Sequence, residues 1–146
     1  MSTTGLDVFD KTLQTTHIWL DEVMETVGPD RGLAWHVLGA VLRNLRDRLP
    51  LELAAHLGAQ LPLLVRGAYY DQFRPGHAPE KLHTEDAFLA RVTSDLGGTR
   101  PVNAREATRG VFAVLSHHVT PEQVDKVKLS LPASIRHLWP APGEAV

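Results

Sequence analysis

The second half of this 146-residue chain repeats the pattern of its first half. When the sequence is shifted along itself by 70 residues, identical residues align without a gap, and apolar residues align with apolar residues between them. The aligned identities are Val41/Val111, Leu45/Leu115, Glu52/Glu122, Leu61/Leu131, Pro62/Pro132 and Arg66/Arg136. A repeat of this length predicts a duplicated structural unit, in which each copy needs the other to bury its apolar face.

Apolar residues recur at helical spacing along most of the chain, and no segment alternates as a half-buried strand would. The clearest stripe consists of Ala34, Val37, Leu38, Val41, Leu45 and Leu49, with Arg43, Arg46, Asp47 and Arg48 mostly away from it. We therefore predict an all-α fold with about eight helices in a single domain, 1–146. Copy one is predicted over about 8–70, a connector over about 71–83 and copy two over about 84–140, each with two long and two short helices.

Polar residues at the predicted helix starts supply capping signals. Asp30, Thr84 and Asn103 are predicted N-caps, because their side-chain oxygens can accept hydrogen bonds from unpaired first-turn amides. The segment 120–123 (TPEQ) has capping-box spacing, with proline at the first helical position.

The composition excludes several classes of protein. With 43% apolar and 22% charged residues the chain is globular rather than disordered, and a net charge of -2 gives no field that would recruit nucleic acid or an anionic membrane. The absence of cysteine excludes disulfides and thiolate metal sites, and it favours a reducing cytoplasm. The first residues lack a secretory signal, and no apolar run approaches the ~20 residues of a membrane-spanning helix.

The sequence contains none of the common catalytic or cofactor motifs that we sought. Phosphate-binding glycine loops, the G-x-S-x-G elbow and H-E-x-x-H are all missing, so we assign no catalytic residue and expect no cofactor. His117 and His118 are adjacent and project about 100° apart around a helix, so they do not share a face. We therefore expect no metal site, and their position near a helix C-terminus suits the helix dipole. The alternative is a metal site assembled only in three dimensions.

Several segments of the chain resemble the sequences of a bacterial protein family. They are 41–50 (VLRNLRDRLP), 54–62 (AAHLGAQLP), 66–73 (RGAYYDQF), 88–92 (FLARV) and 131–136 (LPASIR). In these segments the chain is similar to the domain-of-unknown-function family 2267, although that family usually has tryptophan at the position of Phe73. The resemblance covers about residues 9 to 140. It implies a soluble bacterial helical protein with no established activity, and it supplies no site residues.

An aromatic and basic cluster beside the connector is the first candidate site. The cluster consists of Arg66, Tyr69, Tyr70, Phe73 and Arg74, and Trp35 is a second, separate candidate binding residue. Tyrosine and arginine are enriched at binding hot spots, so this cluster favours an interaction module whose partner is another protein or a second copy of the chain. The alternative is that these aromatic residues pack in the core or along the seam between the copies.

A second hypothesis is a small-ligand binder or an enzyme, with a site assembled between helices. Its candidate residues are His36, His56, Gln60 and Glu52. Helix bundles build sites in this way from side chains on different helices.

A third hypothesis is nucleic-acid binding through Arg43, Arg46 and Arg48. The alternative is a solvated helix face, which we favour because nucleic-acid binders usually carry a larger basic surplus.

Overall fold

The computed structural model describes residues 2–76, 79 and 83–144, and in these ranges the chain forms eight α-helices and no strand. The helices are α1 (Asp7–Val27), α2 (Arg31–Arg48), α3 (Leu51–Ala59), α4 (Leu63–Tyr70), α5 (Glu85–Asp95), α6 (Ala104–His118), α7 (Pro121–Ser130) and α8 (Ala133–Arg136). The all-α prediction is confirmed. None of these helices is both long and apolar enough to cross a membrane.

Helix α2 lies at the centre of the fold and is buried on most of its surface. It contacts α1, α4, α5 and α6. The predicted apolar stripe is confirmed as core, but Arg46 and Arg48 are also buried, with only 4% and 8% of their surface exposed. The prediction of a solvated basic face is therefore wrong for these two arginines, because a helix surrounded by four others has little surface left for water.

The three predicted N-caps are confirmed, and each accepts a hydrogen bond from the amide three residues later. The bonds are Leu33 N to Asp30 Oδ1 at 3.0 Å, Ala87 N to Thr84 Oγ1 at 3.1 Å and Glu106 N to Asn103 Oδ1 at 3.0 Å. Such bonds satisfy amides that have no partner inside the helix.

The start of α7 is capped from another helix rather than by its own capping box. Pro121 is the first residue of α7 as predicted, but Thr120 makes no side-chain cap bond within its own segment. Instead, the amide of Gln60 at the end of α3 accepts from Thr120 N at 2.9 Å and donates to Thr120 Oγ1 at 3.0 Å. The bond from Thr120 N ties the start of α7 to the end of α3.

Some of the helix contacts have a counterpart when the two halves are exchanged, whereas those of α4 with α2 and α3 and that of α6 with α7 have none of comparable extent. The contact of α1 with α6 is matched by that of α5 with α2, and the contact of α1 with α4 by that of α5 with α8. In addition, α2 contacts α6 and α3 contacts α7. The tandem copies stay a prediction, and only the matched contacts are those that two copies related by a two-fold rotation would make.

Helices α1 and α6 run antiparallel and pack closely. A Cβ added at Gly110 would lie 2.7 Å from Thr26 Oγ1, so glycine permits the close approach at this end of the pair. At the other end, the last residue of α6, His118, stacks on Trp19. The first turns of α1 therefore extend beyond the end of α6.

Candidate functional site

Tyr69, the first tyrosine of the predicted aromatic cluster, lies in the core. It is 0% exposed, and its hydroxyl donates to the Ala54 carbonyl oxygen at 2.7 Å. Burial raises the pKa of Tyr69 well above its usual value, and the nearby Tyr70 adds to this rise. A buried side chain whose hydroxyl already donates is not accessible to a partner, so the structure places Tyr69 in packing rather than at a binding surface.

Tyr70 and Phe73 are half-buried and cover the same part of the core. Tyr70 packs over Gly58, and its ring meets the ring of Tyr69 edge-on, with centroids 5.0 Å apart. The guanidinium carbon of Arg46 lies 4.9 Å from the centre of the Phe73 ring, which is cation–π distance. These contacts agree with the alternative that the aromatic residues are mainly part of the packing.

The remaining candidate binding residues, Arg66, Trp35 and Arg74, have different surroundings in the structure. Arg66 donates to three backbone carbonyls at the C-terminal end of α3, at 2.8, 2.9 and 3.1 Å, and so holds that helix end. Trp35 is half-buried against the core, while Arg74 is exposed beyond α4. The structure therefore leaves only Arg74 of the six candidates fully on the surface.

The residues of the small-ligand hypothesis are not brought together. His36, Glu52 and His56 are exposed, and the amide of Gln60 is engaged with Thr120. Within the described part of the chain, no hydrogen bond or ion pair joins any two of the four candidates. The structure therefore gives this set of residues no common site.

The arginines of the predicted basic cluster bond mainly to groups within the protein. Arg43 and Arg46 donate to carbonyls at and just after the end of α4, at 2.7 to 3.2 Å. Arg46 also pairs with Asp47 at 2.9 Å. Cations are favourable at the negative end of a helix, so these two arginines act as C-terminal caps for α4. Their donors are therefore partly committed to the protein, which disfavours phosphate recognition by this cluster.

A cleft of about 1110 Å³ opens beside α2 and the described part of the connector. Among the described residues that line it, four arginines stand against three aspartates. Asn44, which also lines it, donates to Asp95 Oδ2 at 2.7 Å. Because its charges nearly balance and these polar groups bond to one another, the cleft has no clear preference for an anion.

A histidine cluster that sequence reasoning missed lies at the seam of α1 and α6. Glu22 Oε1 lies 2.7 Å from His117 Nδ1, and Glu22 Oε2 lies 2.6 Å from His118 Nε2. The His118 ring stacks on Trp19, with centroids 4.9 Å apart and planes 19° apart. One carboxylate from α1 thus holds two consecutive rings from the last turn of α6.

Spacing along a single helix could not reveal this cluster. Projection around α6 separates His117 from His118, so periodicity within this helix predicts no shared site. Glu22 joins them because both rings turn toward α1 at the end of α6. The one local signal is that the pair ends a helix.

Apolar side chains are exposed along the start of α1. We name Leu6, Phe9 and Leu13, which are 51%, 48% and 38% exposed, the α1 stripe. Their helical spacing continues the side of α1 that carries the buried residues Thr16 and Leu20. The stripe is uncovered because this part of α1 extends beyond the end of α6.

Comparison with known proteins identifies a family but no activity. The model of an uncharacterized conserved protein family (DUF2267) matches residues 16–138. An S-adenosylmethionine synthase from Leifsonia xyli subsp. xyli is 33% identical over 101 residues, which cover 65% of this chain and 25% of the synthase. The chain thus matches about a quarter of that relative's length. Since the family model covers most of the sequence, this protein belongs to the DUF2267 family of uncharacterized conserved proteins.

Proposed function

We propose that this protein is a helical module that associates weakly with a second copy of itself through the α1 stripe. The observation that carries the proposal is the exposure of Leu6, Phe9 and Leu13 on the side of α1 that elsewhere faces the core. A contiguous apolar surface on a helix is typical of an interaction site.

The arrangement of the stripe favours a second copy as the partner. Phe9 lies near its middle, with one leucine on each side at Leu6 and Leu13. If two α1 helices pack antiparallel across a two-fold axis near Phe9, each Leu6 faces the other copy's Leu13 and the two phenylalanines meet. Such self-complementarity is what a symmetric dimer interface requires.

The charged group beside the stripe, the Asp10 carboxylate, is hydrogen-bonded within its own chain. Asp10 lies beside Phe9, and its carboxylate accepts hydrogen bonds from Ser2, Thr3 and Thr4. The bond from Ser2 contributes most to lowering the pKa of Asp10, and those from Thr4 and Thr3 add to it. The carboxylate is therefore held in place by its own chain and stays ionised at neutral pH.

The interface would be small, so the association would be weak. The stripe spans only about two helical turns in each copy, which is less surface than the roughly 1,200 Å² of a stable specific complex. We expect monomers at low concentration and dimers in rapid exchange at high concentration.

Sedimentation velocity over a wide range of protein concentration tests this function. The weight-average sedimentation coefficient should rise with concentration for the natural protein, and Phe9→Glu should abolish the rise by placing two like charges near the axis. Leu129→Glu is the matched control, since Leu129 is 73% exposed on α7 and lies outside the stripe. A natural protein that stays monomeric, or a loss of association in the control alone, would contradict the proposal.

A further inference from the structure

We propose that Glu22, His117 and His118 form a binding site for a zinc ion at the seam of α1 and α6. The three possible ligand atoms, one from each residue, all lie within 4.8 Å of one another. Two helices supply them, so a bound ion would link α1 to α6. This inference is independent of the self-association proposed above, because none of the three residues belongs to the α1 stripe.

The present distances are close to those that a tetrahedral ion needs. Zinc binds histidine nitrogen at about 2.0–2.1 Å and carboxylate oxygen at about 2.0–2.2 Å, which places neighbouring ligand atoms about 3.3 Å apart. The Glu22 oxygens now lie 2.7 Å from His117 Nδ1 and 2.6 Å from His118 Nε2. Because these two distances end on different Glu22 oxygens, side-chain rotations must bring both histidine nitrogens to about 3.3 Å from the one oxygen that would bind the ion.

The types of ligand atom select a transition metal. Two imidazole nitrogens with one carboxylate oxygen suit zinc, cobalt, nickel and copper, whereas calcium and magnesium require sites made mainly of oxygen. Two histidines and one glutamate are also a known zinc set, in which the fourth position is left to water or another small ligand.

Packing fixes the side chains on one side of the site and leaves the other side exposed to solvent. The His118 ring is held by stacking on Trp19, which is only 1% exposed. The side chains of Glu22 and His118 are 22% and 23% exposed, and that of His117 is 67% exposed. The site thus combines two half-buried ligands with one exposed ligand on the side from which an ion can enter.

Calorimetric titration of the full, untagged chain with zinc chloride tests the site. We expect one equivalent of zinc to bind and the midpoint of thermal unfolding to rise with zinc concentration. Glu22→Gln preserves the shape of the side chain but removes its charge, and we expect it to weaken binding at least about tenfold. His118→Ala should weaken binding at least as much.

The matched control is His17→Ala, which removes an exposed histidine from α1 outside the cluster. It should bind zinc like the natural protein, and circular dichroism without metal should show the same helix content in all variants. Cobalt titration adds an independent readout, since an absorption band typical of four-coordinate cobalt should appear in the natural protein and disappear in Glu22→Gln. Absence of one-equivalent binding, unchanged binding in both cluster variants, or equal loss in the control would overturn the proposal.

Discussion

Two hydrogen bonds of Arg66 are matched by two of Arg136, which lies 70 residues later in the chain. In each case Nε donates to the carbonyl oxygen eight residues earlier at 2.9 Å. Nη2 donates to the carbonyl oxygen five residues earlier, at 2.8 Å for Arg66 and 2.9 Å for Arg136. The carbonyls lie at the ends of α3 and α7, where the last helical oxygens have no partner within the helix. One arginine thus performs the same capping task in each half.

We predict that Arg66→Ala and Arg136→Ala each lower the free energy of unfolding by about 1–3 kcal/mol, because carbonyls at a helix end lose charge-assisted partners. Urea unfolding followed by circular dichroism measures this change. Arg74→Ala is the matched control, since Arg74 is exposed, and it should change stability by less than about 0.5 kcal/mol. Equal stability of the Arg66 and Arg74 variants would show that the hydrogen bonds to the end of α3 contribute nothing measurable.

We predict opposite effects when alanine replaces glycine at Gly58 and at Gly67. A Cβ at Gly58 would lie 2.7 Å from Tyr70 Cζ, so the half-buried ring must move, at a cost of about 1–3 kcal/mol. A Cβ at Gly67 meets nothing within 4 Å, and alanine there should raise stability by up to about 1 kcal/mol through helix propensity. The two midpoints of thermal unfolding should therefore move apart, and a rise for Gly58→Ala would contradict the packing of Tyr70.

The parts of the fold that sequence predicted are those set by local chemistry. Asp30, Thr84 and Asn103 each cap a helix within three residues of themselves, so their role follows from the segment alone. The apolar stripe of α2 is also visible in sequence, because helical periodicity is a property of one segment.

The parts that sequence did not predict depend on which helices meet. The position of Arg46 away from the apolar stripe predicts a solvated face, yet Arg46 is buried where α4 ends against α2 and bonds to carbonyls there. Glu22 reaches His117 and His118 across 95 and 96 residues of chain, a proximity that periodicity within α1 or α6 does not contain. Charged and polar residues were therefore harder to place than apolar ones, since tertiary partners decide their positions.

We predict that the protein loses stability in alkaline solution as Tyr69 becomes ionised in the unfolded chain. Burial raises the pKa of Tyr69 in the folded state above its unfolded value of about 10. The stabilising contribution is therefore complete below the unfolded pKa and is lost as the pH rises toward the folded pKa. Urea unfolding at successive pH values above neutrality should show this decline, and Tyr69→Phe should make it shallower.

The Tyr70→Phe variant isolates the signal, because the chain contains only two tyrosines. In that variant, tyrosinate absorbance reports Tyr69 alone and should appear together with the loss of helical circular dichroism. Ionisation of Tyr69 while the helices remain intact would contradict the burial of its hydroxyl.

We predict that Gln60→Ala lowers the free energy of unfolding by about 0.5–2 kcal/mol, as the loss of a helix N-cap does. The Gln60 oxygen accepts from Thr120 N, so alanine leaves the start of α7 uncapped. Gln60→Glu should retain more stability than Gln60→Ala, because a carboxylate still accepts that bond and suits the positive end of the helix dipole. Gln14→Ala, which truncates an exposed glutamine on α1, is the control for urea unfolding. If Gln60→Ala were as stable as this control, Gln60 would be available to a ligand rather than committed to joining α3 and α7.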